Sequence, residues 1–245
     1  MIIDTHAHLN FDAYDTDRGE VIKRTLAENI QCINVGCSFA SSKVAVELAE
    51  KQEGFYAAIG LHPTDVDEPY DAQQYRELAT SKKVVAIGEI GLDYFREPYD
   101  KEKQRDAFLK QLELAKELQL PVIIHCRKAH DEMIEILKTQ NVPGVIHCFT
   151  GTLEQAKKYV EMGFYLGING IVFKFNIDQV IKEIPLEHLL LETDCPYLTP
   201  PQESSKRNEP VFIKHTIQKI AELKSITFDE VCQQTTQNAR KLFRM

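Results

Sequence analysis

The chain is predicted to be an α/β protein, a (β/α)8 TIM barrel, on three observations. Eight short apolar runs alternate with helical patterns along its 245 residues. Strands that are apolar throughout, each followed by a helix, belong to parallel sheets covered on both faces. No low-complexity linker divides the chain, and about 250 residues is the usual size of one closed barrel, so residues 1–245 read as a single domain. The main structural alternative, a doubly wound open sheet that binds a nucleotide, lacks its glycine-rich first turn.

Residues 1–6 of MIIDTHAHL form the first run, and 15–28 follow with helical apolar spacing at Val21, Ile22 and Leu26. CINVGC (32–37) precedes a helix over 41–52, and FYAAIG (55–60) precedes the loop LHPTDVDEP and a helix near 71–80. VVAIGE (84–89) leads into the loop GLDYFREPY and a long helix over 101–118. PVIIHC (121–126), GVIHCF (144–149) and FYLGING (164–170) are followed by helices over 129–140, 153–162 and 176–183. LLLETD (189–194) is the eighth run, then come the loop CPYLTPPQESSKRNEP and helices over 210–224 and 228–243.

Lys and Arg total 29 against 37 Asp and Glu, a net charge of −8. That balance argues against broad electrostatic binding of duplex DNA or membranes, which needs a basic surface, but leaves room for a small basic pocket. No basic segment precedes the first run, and no apolar stretch approaches the roughly 18 residues of a membrane span. Cys32, Cys37, Cys126, Cys148, Cys195 and Cys232 include no CxxC pair. Reduced thiols in a cytoplasmic protein are therefore expected.

Barrel enzymes place their chemistry at the C-terminal ends of the strands. Those ends carry His6 and His8 (first strand), His62 (third), Glu89 (fourth), His125 (fifth), His147 (sixth) and Asp194 (eighth). Five of the eight histidines fall there, a concentration that random placement would not produce. Strand alternation puts Asp4, His6 and His8 on one face, as it does Val85, Ile87 and Glu89, then Ile123 and His125, then Leu190, Glu192 and Asp194. Cys126, Cys148 and Cys195 each follow one of these by one residue, so alternation turns them toward the helices and away from catalysis.

Four histidines and two carboxylates exceed the needs of one metal ion, whereas two divalent cations sharing a carboxylate use them all. Glu89 is the expected bridge, with His6, His8 and Asp194 on one side and His125 and His147 on the other. Imidazole and carboxylate without thiolate suit zinc, magnesium, manganese or iron and do not choose among them.

The stretches DTHAHL (4–9), GLHP (60–63), GEIGLDY (88–94), HCR (125–127), HCFTG (147–151), ETDCPYL (192–198) and RNEP (207–210) resemble those of the TatD-type metal-dependent deoxyribonucleases. Those enzymes lie within the amidohydrolase-like (β/α)8 barrels. The resemblance runs from residue 4 to the C-terminus, and its one oddity is Cys195, where a small residue such as Ala or Ser is expected. It implies metal ligands at His6, His8, Glu89, His125, His147 and Asp194, and hydrolysis of DNA from a 3′ end in at least some members.

Metal-assisted hydrolysis is the expected reaction, with a water attacking phosphorus in line. Asp194 is the candidate to ligate metal and take the water proton, Glu89 to bridge, and His62 to donate to a phosphate or leaving group. Glu192 is placed to orient a ligand histidine or to form a buried ion pair, and Asp4 to support the site or pack the barrel. Arg127 and Arg207 are the candidate phosphate binders, and Tyr94, Phe95, Phe149 and Tyr197 are candidate rings for an unstacked base. His188 and His215 are expected to be structural, and His130 is ambiguous.

A 3′–5′ exodeoxyribonuclease acting on single-stranded or frayed DNA ends is the leading expectation. The alternative is a hydrolase of a small amide or ester, or of the aminoacyl ester of charged tRNA. Related dinuclear amide hydrolases often bridge their metals with a modified lysine at the end of the fourth strand; Glu89 stands there here. A barrel that binds metal without turnover is the third class, and the complete ligand set argues against it.

Overall fold

A computed structural model describes residues 1–245. Eight parallel strands form one sheet in sequence order: β1 (Ile2–Ala7), β2 (Ile30–Val35), β3 (Phe55–Ile59), β4 (Val84–Asp93), β5 (Val122–Arg127), β6 (Gly144–Ile146), β7 (Tyr165–Ile168) and β8 (Leu189–Leu191). The seam between β8 and β1 has no continuous ladder. It closes through Asp194 N–H to His6 O and His8 N–H to Cys195 O, both 2.8 Å, and an isolated bridge between Ala7 and Cys195. The expected barrel is the observed one.

The outer ring comprises α1 (Arg18–Ala27), α2 (Phe39–Lys51), α3 (Ala72–Leu78), α4 (Lys101–Leu118), α5 (His130–Leu137), α6 (Leu153–Glu161), α7 (Asp178–Glu183), α8 (Ile213–Lys224) and α9 (Phe228–Phe243). Several start where a polar side chain satisfies an unpaired N–H. Ser38, Thr152 and Thr227 form reciprocal capping boxes, and Asp100 accepts from Glu102 and Lys103 N–H.

Two apolar layers result. One lies between strands and helices. The other fills the barrel with Ile3, Ile33, Val35, Ala58, Val85, Ile123, Val145, Tyr165 and Leu190, joined by Ala239, Leu242 and Phe243 of α9. Asn238 Nδ2 donates to Leu186 O and Leu189 O, both 2.8 Å, and Thr236 Oγ1 to Met1 O, so α9 seals the end where β1 and β8 begin. The opposite end stays open.

Strict alternation fails in two strands. The β1–β2 register shifts between Asp4 and Ala7; Ile3 faces the barrel interior, and the fully buried Asp4 is not on the face expected from His6. The β3–β4 register shifts between Val84 and Ala86, so Val85 lies inside while Ile87 joins the outer layer, and the β4–β5 register shifts again between Ile87 and Ile90. Local irregularities of this kind re-aim side chains. Beyond β6, Cys148 adopts a left-handed φ of 45°; its Sγ lies within 4.8 Å of ligand atoms of His147 and Asp194. The expectation that alternation sends Cys148 to the helices is therefore wrong, because the strand ends at Ile146. Cys126 and Cys195 are buried as expected, and all six thiols are free.

Candidate active site

The open end holds a cavity of about 420 Å³ lined by His8, His62, Glu89, His125, His147 and Asp194 among others. His6 is buried just beneath, its Nε2 3.4 Å from Glu89 Oε2. Glu89 sits at the centre. Its Oε2 faces His6 and His8 (3.4 and 4.0 Å), and its Oε1 faces His125, His62 and His147 (2.8, 3.6 and 3.8 Å). Asp194 Oδ1 lies 3.5 Å from His8 Nε2, 3.9 Å from His6 Nε2 and 3.8 Å from His147 Nε2. The His147 ring stacks on His6 at 3.5 Å, with its Nε2 3.8 Å from both Glu89 Oε1 and Asp194 Oδ1, while His62 joins Glu89 and His125 in one compact set.

Surrounding groups aim these rings. His8 Nδ1 contacts Val35 O at 2.8 Å. A carbonyl only accepts, so Nδ1 carries the proton and the Nε2 lone pair faces His6 Nε2, 3.1 Å away. Glu192 Oε1 lies 2.9 Å from His147 Nδ1 and accepts from Cys148 N–H (2.7 Å) and Asn169 Nδ2 (2.9 Å). It therefore forms a buried charge pair with His147, while its own hydrogen bonds come from Cys148 and Asn169. His62 differs. Thr64 N–H donates to its Nδ1 at 3.2 Å, which leaves the hydrogen on Nε2, pointing at the cavity.

Asp93 is invisible to the sequence pattern, which ends the fourth strand at Glu89. The strand runs on to Asp93, whose Oδ2 lies 2.9 Å from His125 Nε2 and whose Oδ1 accepts from Phe95 and Arg96 N–H. The GEIGLDY stretch is the available signal. Cys37, with Sγ 3.8 Å from Glu89 Oε2, and Arg96 also line the cavity. Asp4 accepts from His6 N–H and from Thr193 N–H and Oγ1–H, tying β1 to the turn before Asp194.

Arg127 lines the cavity. Arg207 does not, which corrects its expected role. Its guanidinium is bidentate to Asp17 (2.6 and 2.8 Å), reaches Glu209 at 3.3 Å and lies over the Tyr14 ring. Phe149 is fully buried and Tyr94 partly so, whereas Phe95 and Tyr197 are more than half exposed. His215 pairs with Glu203 at 2.6 Å, and His130 Nδ1 contacts Tyr159 Oη at 3.1 Å.

Charge is concentrated here. Burial opposes ionisation of Glu89, but His62, His6 and His147 outweigh it and hold the carboxyl well below its ordinary range. Burial likewise opposes ionisation of Asp194, and His147, His8 and His6 overcome it, so this carboxyl is also lowered. Burial, reinforced by His147, depresses His6 to about 4. Burial alone would also lower His147, but Glu192, Glu89 and Asp194 push it up to about 10. Ionised carboxylates facing imidazole nitrogens that converge within 4.0 Å form the donor set of divalent cations. The residues fit the group.

A family model described as TatD related DNase matches residues 3–244. The chain is 45% identical to the uncharacterized metal-dependent hydrolase YabD of Bacillus subtilis, and 38% identical to the 3′-5′ ssDNA/RNA exonuclease TatD of Erwinia tasmaniensis; each alignment covers 100% of both proteins. The crystal structure of YJJV, a TatD homolog from Escherichia coli K12, superposes with a TM-score of 0.93 at 32% identity, covering 100% of this chain and 98% of that one. No helix is long and apolar enough to cross a membrane. The chain belongs to the TatD-related DNase family and is a metal-dependent hydrolase.

Proposed function

We propose that the protein is a 3′–5′ exonuclease of single-stranded or frayed DNA ends that works with two divalent cations. The observation carrying this is the position of Glu89, whose two oxygens face separate histidine groups within one cavity. His6, His8 and Asp194 would hold one cation and His125 and His147 the other, with Glu89 shared. Bound there, the cations supply Lewis-acid polarisation of a phosphate and acidify water.

The chain's own groups do the rest. Asp194, held ionised, takes the proton of a water attacking phosphorus in line. His62 presents Nε2–H to a phosphate oxygen or to the departing ribose oxygen. Asp93 steadies His125 through Nε2, and Glu192 steadies His147 through Nδ1. Arg96 and Arg127 place two cations on a cavity wall otherwise rich in carboxylate, where a phosphate chain enters. A cavity of about 420 Å³ suits a small ligand group and excludes a paired duplex. The exonuclease name of the Erwinia relative supports the same substrate class.

The test incubates metal-stripped protein with a 5′-labelled single-stranded oligomer, adding magnesium, manganese or zinc separately. A ladder that shortens from the 3′ end, needs metal and disappears in Glu89→Gln is expected. A ladder that persists in Glu89→Gln marks a contaminating nuclease. No cleavage with any metal, in protein that binds the cations, overturns the reading and turns attention to amides, esters and charged tRNA.

A further inference from the structure

We propose that the active cavity continues outward as a track for the 5′-ward part of the same strand, made by Arg96, Arg127, Lys128 and Lys101 with the rings of Phe95 and Tyr94. This rests on the reading of the site as one that acts on a strand end. Continuity of the surface is the first support. Asp93 and Arg127 are paired across β4 and β5 and both line the active cavity. The next residue of each strand end, Tyr94 and Lys128, lines a second cavity of about 290 Å³, which Lys101 also borders. Residues adjacent in sequence at the ends of both strands thus border the two cavities.

Unspent charge is the second support. Neighbouring cations are matched: Lys103 by Asp67 at 2.8 Å, Lys110 by Asp106 at 2.6 Å and Arg105 by Glu132 at 4.0 Å. None of the four track cations has a carboxylate oxygen within the 4.0 Å of an ion pair, and all four are exposed. Asp131 and Glu132 border the second cavity, but Gln155 Nε2 holds the first at 2.8 Å, and Tyr94 Oη and Arg105 hold the second. In a chain of net charge −8, four adjacent unpaired cations form a local field for phosphates.

The rings are the third support. Arg127 lies 3.8 Å over the Phe95 centroid and Lys101 Nζ 4.4 Å over Tyr94. Phe95 leaves 54% of its surface to solvent. Phe95 holds a cation against one face and keeps the other for a base, whereas Tyr94 also stacks on Tyr99 at 5.5 Å and serves to place Lys101.

The test measures binding, so it does not depend on turnover. Metal-loaded wild type and Lys101→Gln/Lys128→Gln are titrated by anisotropy with phosphorothioate oligothymidylates of two and eight residues, from 50 to 200 mM salt. Neither lysine makes an ion pair, so both proteins are expected to melt together. For the 8-mer, the slope of log K against log salt is expected to shrink by about 1.4, roughly 0.7 for each phosphate no longer neutralised. Its affinity at 50 mM salt is expected to fall about tenfold, and the 2-mer to bind equally to both proteins. Equal slopes and affinities for the 8-mer overturn the track while leaving hydrolysis of strand ends intact. If wild type degrades no nucleic acid yet the slope responds to the lysines, the track stands and the exonuclease reading fails. If wild type binds neither oligomer, both fall.

Discussion

Adding one methyl group at Gly91 is expected to displace the site from behind. Gly91 has φ +146°, a conformation that side-chain-bearing residues rarely adopt, and it pairs with His125 across β4 and β5. A Cβ there meets His125 O at 2.0 Å, where contacts below 3.0 Å are essentially unknown, so the strands must separate by about 1 Å. The strained φ costs about 1–2 kcal/mol and the overpacking about 1–3 kcal/mol, giving a loss of about 2–5 kcal/mol. In a chain of this size each kcal/mol lowers Tm by about 2–4 °C. Because the displaced carbonyl belongs to His125, a misplacement of about 1 Å is also expected to cost roughly 100-fold in kcat. Calorimetry and the oligomer assay measure both in Gly91→Ala. Gly19→Ala is the control. Gly19 lies in α1 with nothing within 4 Å of the added methyl, so stability holds or rises by up to about 1 kcal/mol and activity is unchanged. A Gly91→Ala protein within about 1 kcal/mol of wild type in stability, and within roughly threefold in kcat, refutes the clash with the His125 carbonyl.

His62→Ala is expected to keep its full complement of cations by elemental analysis while kcat falls roughly 10²–10⁴-fold, because Thr64 leaves its Nε2 a donor; loss of metal would make it a ligand instead. Arg207→Ala is expected to destabilise by about 1–3 kcal/mol through its charge-assisted bonds to Asp17 and Glu209, with KM for oligomers unchanged. Burial depresses His130 to about 4, with Asp131 opposing and His125 reinforcing the shift. The unfolded chain therefore takes up a proton first as pH falls, and stability present above about pH 6.5 is lost down to about pH 4, by about 3 kcal/mol. Denaturant titrations at both pH values are expected to show a smaller acid loss in His130→Asn. Adding zinc or manganese to stripped protein is expected to raise Tm by mass action, about 2.7 kcal/mol at 100 times Kd, and to raise it far less in Glu89→Gln.

The barrel was legible because its signals are local. An apolar run bounded by turn residues and followed by a 3.6-residue period needs no knowledge of distant partners. Parallel strands then place each run's last polar residue at one end, which is how residue order alone brings His6, His8, His62, Glu89, His125, His147 and Asp194 together. Glu192 was legible by the same logic, as a residue one layer beneath Asp194.

What the pattern missed depends on partners far apart in the chain. The register shifts in β1 and β4 arise from pairing with β2, β3 and β5, so alternation misplaced Asp4 and Ile87 and hid Asp93. Arg207 looked free in its loop, yet Asp17, 190 positions away, claims its guanidinium. Amino-acid order by itself settled which residues sit at the mouth of the barrel, because strand direction and strand ends are properties of short segments. Tertiary structure alone decided which nitrogen of each histidine faces Glu89 and which arginine faces the cavity, because a hydrogen bond is decided by the partner that distance permits.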